Sequence, residues 1–283
     1  MTLLSLLFAL LLERVTTKTD VWRAQYHVGR YLDWLTEKEW LTDDIEPAKM
    51  LLWSLVPSVA VWLVLDMLGY GVLGLVLNTL VLYVCLGCPQ LRATYKCFLQ
   101  AANRGDLMAC ELHAEMLGHQ QYDDTCGSFG QQLVWLNYTH YAAVIIAFIA
   151  LGAPGAVLYV VVQGFIHHTK ASDYPEDTIH FFAKVGFLLD FIPVRITALG
   201  FMLVGHFGRA FSVWVTLVFN VSVSAKQLLC HVSRAAEDVE PLEIKESDPE
   251  TVISEPKILV KLAKRNVMFL VATVSLLTVA GAL

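Results

Sequence analysis

Charge is what this sequence has least of. Asp, Glu, Lys and Arg make up 16% of its 283 residues, against 56% apolar, where soluble domains carry about 25% charged residues. Too few charges remain to cover a globule of this size, so a soluble fold is excluded, and the mean hydropathy of +0.56 agrees. A basic face is missing as well. The formal net charge is -6 and no nucleic-acid motif occurs, which sets nucleic acid aside as a partner. Neither Gly-x-x-x-x-Gly-Lys-Ser/Thr nor Gly-x-Ser-x-Gly is present, so a P-loop nucleotide site and a nucleophile elbow are absent.

The Leu3 to Leu12 run has the look of a secretory h-region. No positive segment precedes it and no small-residue cleavage site follows, so it reads as a short, retained first helix. Six cysteines occur, at positions 85, 88, 97, 110, 126 and 230. They fall mostly near segments assigned below to the cytoplasm, where thiols stay reduced, so disulfides are not expected. Cys85-Leu86-Gly87-Cys88 has the spacing of half a zinc site. Cys110, His113, His119 and Cys126 offer no second pair at a fixed spacing, so packed thiols are expected, with no metal and no cofactor.

Long uncharged runs are what the chain has instead. Between Tyr141 and Val162 there is no Asp, Glu, Lys, Arg or His. Two apolar arms, Val134 to Leu151 and Pro154 to Ile166, are separated by Gly152-Ala153-Pro154-Gly155. Glycine tolerates the left-handed conformation that ends a helix, and proline favours the start of the next one. The stretch from Leu133 to His168 therefore predicts a helical hairpin. A crossing takes about 20 apolar residues for a core of about 30 Å, which the first arm barely meets and the second does not unless His167 and His168 lie among headgroups.

Other runs repeat the pattern. Ala48 to Leu68 and Val72 to Gly87 read as spans joined by a glycine-rich turn, with Asn78-Thr79 satisfied by a neighbouring helix. Phe181 to Phe207 reads as another span, Ala210 to Val223 as a weak one, and Val267 to Leu283 as the last. Val21, Val28, Leu32 and Leu35 recur at helical spacing beside Trp22, Trp34 and Trp40. That helix either lies in the membrane interface or packs on the rest of the protein. Asp106 is placed to cap a helix reaching Leu117, making 88–132 a helical hairpin outside the membrane. Cys230 to Pro256 holds eight carboxylates and three prolines, and its part from about 237 to 256 reads as a flexible acidic tether.

The fold class is therefore all-α: a polytopic helical membrane protein, one integral domain over 1–283, with about six to seven membrane segments and helical loops at about 13–47 and 88–132. Placing residues 14–49, 92–104, 170–184 and 226–265 on one side collects 18 of the 20 Lys and Arg. Short basic loops stay in the cytoplasm, which puts both termini in the periplasm.

The sharpest chemical feature is Asp190-Phe191-Ile192-Pro193-Val194-Arg195. Ionisable groups at membrane depth are costly and pair or line a polar cavity. A spacing of five does not place the two charges on one face of a regular helix, although a kink at Pro193 would alter that. The alternatives at this point are a functional polar pocket, and a structural ion pair or snorkelling near the cytoplasmic surface.

Four stretches together resemble the AmpE family of bacterial inner-membrane proteins, within the wider CbiB/CobD group. They are Leu12-Glu13-Arg14 after a Leu-rich start, Gly105-Asp106-Leu107, Leu151-Gly152-Ala153-Pro154-Gly155-Ala156 with Tyr159, and Leu189-Asp190-Phe191-Ile192-Pro193-Val194-Arg195. The basic cluster before a last helix ending Gly281-Ala282-Leu283 is specifically similar to AmpE. The resemblance implies a signalling modulator linked to β-lactamase induction and cell-wall recycling. The CbiB/CobD relatives are amide-forming enzymes of the adenosylcobinamide-phosphate synthase kind, and this chain departs from their pattern. Leu136 precedes Asn137, Gln163-Gly164-Phe165-Ile166 replaces an Asn-Thr-Leu-Asp stretch, and Gly186-Phe187 replaces paired acids. An enzyme of that kind would need a new acidic set, such as Glu13, Asp106, Glu111 and Asp190, and a transporter of a cell-wall fragment is a further alternative. The expected ligand-binding positions are Asp190, Arg195, Asn137, Tyr159, Glu13 and Asp106. The expected partners are the lipid bilayer and a small ligand such as a cell-wall fragment, with self-association left open.

Overall fold

Proline at position 47 and glycine at 69 bracket a 22-residue apolar helix, and the same logic of breakers and runs shapes the rest of the chain. The computed structural model describes residues 2–16, 18–42, 45–69, 71–119, 127–172, 174–220, 222–237, 239 and 249–281. Among these residues there is no strand, and the protein is an all-α polytopic membrane protein. Five stretches are long and apolar enough to cross a bilayer: Pro47–Leu68, Val72–Asn103, Phe129–Leu151, Glu176–Val204 and Ile253–Val279. Two compact units are recognised, Met1–Gly87 with Ala143–Phe191 and Cys88–Ala142 with Ile192–Leu283.

The first unit contains α1 (Thr2–Val15), α2 (Ala24–Glu37), α3 (Pro47–Leu68), α4 (Val72–Cys85), α8 (Ala143–Leu151), α9 (Ala153–Ala171) and the start of α10 (Glu176–Val204). At 1.5 Å per residue α1 extends about 21 Å, short of a full crossing. The predicted hairpin is α8 and α9, and its turn is Gly152, with φ of 69° and Pro154 in the first turn of α9. The turn's backbone is accounted for group by group. Gly152 N–H donates to Phe148 O at 2.7 Å and Gly155 N–H to Gly152 O at 3.0 Å. Ser58 Oγ donates to Pro154 O at 2.8 Å, and Ala153 N–H donates to Asn78 Oδ1 at 3.4 Å. Asn78 thus finds a neighbouring helix as expected, whereas Thr79 donates to Leu75 O of its own helix.

Ser58 and Asn78 lie halfway along α3 and α4, so the turn rests against the middles of these helices and not their ends. From Ser58 to Leu68 α3 continues ten residues, about 15 Å further. Gly155 lets α9 close on α8: a Cβ there would run into the carbonyl oxygen of Ala147.

The amphipathic segment resolves into α2, which packs against α9 through Val28, Leu32 and Leu35, with Phe165 and Phe182 in the same cluster. These contacts are those of a helix packed on the protein. Val21 stands outside this helix and is exposed. Tyr31 Oη donates to Trp53 O at 2.9 Å, and Trp40 stacks on Trp53 at 4.7 Å.

The second unit contains α5 (Pro89–Asn103), α6 (Leu107–Met116), α7 (Phe129–Asn137), a π-turn at Tyr138–Ala142, the end of α10, α11 (Phe207–Val218), α12 (Ala225–Glu237) and α13 (Pro249–Val279). At 12 residues α11 reaches about 18 Å. Asp106 caps α6 as expected, its carboxylate accepting from Ala109 N–H at 3.0 Å.

The acidic tether is shorter than expected, because α13 begins at Pro249 and α12 runs to Glu237. Most of what separates them, like Cys126, Ala282 and Leu283, lies outside the described residues. Within α13, Glu255 is buried to 3% exposure and accepts from the Ser128 hydroxyl at the N-terminus of α7. This part of the acidic run is therefore folded rather than solvated. Cys85, Cys88, Cys97 and Cys110 are free thiols as expected. Cys230 is not: its sulfur is disulfide-bonded.

Gly155→Val is expected to cost about 1–3 kcal/mol, the usual penalty of overpacking, and to lower the unfolding temperature of the detergent-purified chain. An unchanged temperature would show that α8 and α9 are not closely packed at this point.

Candidate functional site

Tyr159 and Gln163 are one turn apart on α9, so both side chains fall on one face. Asp190 of α10 meets them. Tyr159 Oη donates to Asp190 Oδ1 at 3.0 Å, and the Gln163 amide donates to Oδ2 at 3.3 Å. The same amide lies 3.3 Å from Tyr159 Oη. Asp190 is 4% exposed and Tyr159 1%. An ionised carboxylate only accepts, and here each oxygen has a neutral donor. A buried carboxylate that accepts from two side chains of the facing helix fixes the register of the two helices.

Of the six expected site residues, Asp190 and Tyr159 are brought together in this way. Arg195 anchors a helix end: its Nε donates to Val218 O, the last residue of α11, at 2.7 Å. α10 runs unbroken through Pro193. Asp106 is exposed and spends an oxygen on its cap. Asn137 is half-buried at the end of α7, where the π-turn begins. Glu13 is buried on α1, which packs on α4 and α8. The acidic set considered for an enzyme is thus divided, with Glu13 and Asp190 in the first unit and Asp106 and Glu111 in the second.

Gln163 is the residue that sequence reasoning missed as a site member. The signal was its spacing of four from Tyr159 in an otherwise apolar helix. Among the described residues no group of three or more His, Cys, Asp or Glu is placed to hold a metal ion. Cys110, one of the thiols weighed for such a site, points at Phe98 O. Burial first, and Asp106 second, push its thiol pKa upwards, so it stays protonated and packs as a small apolar group.

Comparison with known proteins places these features. A family model described as "Regulatory signalling modulator protein AmpE" matches residues 1–283. The chain belongs to the AmpE family. A relative named "Protein AmpE", from Shigella flexneri, is 25% identical over 240 residues, covering 81% of this chain and 76% of that protein. No solved structure matches. AmpE membership makes the chain a regulatory signalling modulator, and neither the amide-forming nor the transport reading gains support from these matches.

Asp190→Ala removes the shared acceptor and leaves Tyr159 and Gln163 buried without it. The expected cost is about 1–3 kcal/mol, measured by unfolding in detergent. Tyr159→Phe should cost less, and the double-mutant cycle should give a coupling of about 0.5–3 kcal/mol. Strictly additive effects would mean that the two side chains do not act together.

Proposed function

We propose that the protein works in the bacterial inner membrane as a modulator of β-lactamase induction, coupled to cell-wall recycling, with both termini in the periplasm. The observation that carries this reading is the match to the AmpE family over the whole chain. The site chemistry is compatible with it. A carboxylate accepting from a phenol and an amide is suited to holding α9 and α10 in one arrangement, or to exchanging those donors for a ligand's. A ligand of the cell-wall-fragment kind would act by preferring one arrangement of these helices. The distribution of Lys and Arg supports the orientation.

Deleting the chromosomal gene is expected to change β-lactamase induction by a cell-wall antibiotic, and Asp190→Ala should fail to restore the original response. Unchanged induction in every host background would overturn the reading. Orientation has its own measurement: alkaline phosphatase fused at the C-terminus should be active, and fused at Gly105 inactive. The reverse pattern would invert the topology while leaving the regulatory role to the deletion experiment.

A further inference from the structure

Lys257, Lys261, Lys264 and Arg265 lie close together on α13. Arg265 is spent within the protein, on Glu237 of α12. The three lysines are exposed, and none of them takes part in a hydrogen bond or ion pair among the described residues. At 3.6 residues per turn they share one face of the helix. The opposite face is the buried one, with Glu255, Leu259, Leu262 and Asn266. The carboxylate of Glu255 is therefore turned away from the lysines, towards Ser128.

The lysine face continues along the helix. Met268, Ala272 and Val279 fall with the lysines in one arc of about 80°, and all three are exposed, Met268 to 69% and Val279 to 85%. Residues 266–283 contain no Asp, Glu, Lys or Arg, a run close to the about 20 residues that a crossing takes. The exposed face beyond Arg265 is therefore turned to hydrocarbon, and the lysines stand in line with it just outside. At 1.5 Å per residue, Lys261 and Lys257 lie about 5 Å and about 11 Å outward of Lys264. The headgroup layer is about 5–8 Å deep on each side of the core, and a lysine stem carries its ammonium several ångströms along such a boundary. What meets this face is the headgroup belt of the lipids whose tails meet Met268. Unpaired positive charge there is complementary to a headgroup of net negative charge, and not to a zwitterionic one.

We propose that Lys257, Lys261 and Lys264 form a binding surface for the headgroups of anionic phospholipids, at the face where α13 enters the membrane. Lysine is a compact point charge without the planar fork of arginine, so the surface reads net charge rather than headgroup shape. It belongs to the second unit and is separate from the carboxylate site at Asp190.

Native mass spectrometry of the full chain in detergent tests this, with phosphatidylglycerol, phosphatidylserine and phosphatidylcholine as probes. Both anionic lipids should be held about tenfold more tightly than phosphatidylcholine, on the scale of one or two surface charges. Lys257→Gln/Lys261→Gln/Lys264→Gln should bring the three lipids to near parity while keeping wild-type helical content by circular dichroism. Lys49→Gln/Lys170→Gln/Lys184→Gln removes the same charge elsewhere and should leave the preference intact. A preference that survives the first variant, or that is lost equally in the second, would overturn the proposal. Parity in the unaltered chain would overturn it too, the result expected if the acidic run between Glu237 and Pro249 covers the lysines. Displacement of phosphatidylglycerol by an equal concentration of glycerol 1-phosphate would show a site for free phosphate and overturn it as well.

Discussion

Hydrocarbon offers no hydrogen bonds, and the first unit is arranged around that fact. Wherever the backbone leaves the helix within the bilayer, its N–H and C=O groups must find partners inside the protein. The turn at Gly152 meets the demand with Ser58 and Asn78, side chains drawn from the middles of α3 and α4. Those two contacts fix where the α8–α9 hairpin ends, and α9 in turn positions α2 and the first half of α10 around it. Small residues do the rest: Gly155 lets the two arms close on each other at Ala147, the close approach that membrane helices use in place of a hydrophobic driving force.

The carboxylate of Asp190 belongs to the same economy of polar groups. Burying an acceptor-only group is costly unless every oxygen is supplied. Tyr159 and Gln163 supply both from a single helix face. Two donors on α9 and one acceptor on α10 hold a particular pairing of these helices. That is consistent with membership of a family of signalling modulators.

Much of the fold was legible from local pattern alone. Gly152 and Pro154 marked the turn, Asp106 marked the start of α6, and the uncharged runs marked α3, α4 and α10, because each of these signals acts within a few residues of itself. What was hidden depended on partners far away in sequence. Glu255 reads as one more acid in a solvated run until Ser128 is found beside it. Gln163 reads as a stray polar residue until Asp190 is placed between it and Tyr159. Asp190 was identified as the residue of interest, but periodicity could not say that its partners lie on α9. The two readings of α2 could be separated only by knowing that Val28, Leu32 and Leu35 face Phe165. Arg195 stands out in the sequence by its nearness to Asp190, and no local pattern shows that its Nε donates to the carbonyl end of α11.

The tryptophans have a consequence of their own. Trp34, Trp40 and Trp53 form a continuous contact, with ring centroids 5.2 Å and 4.7 Å apart and the second pair nearly parallel. Indoles this close share excitation energy and couple electronically. Two of the rings follow α2 and its C-terminal turn, and the third is fixed in α3, so the native fluorescence and near-ultraviolet dichroism of the unlabelled chain carry a built-in gauge of whether α2 stays seated.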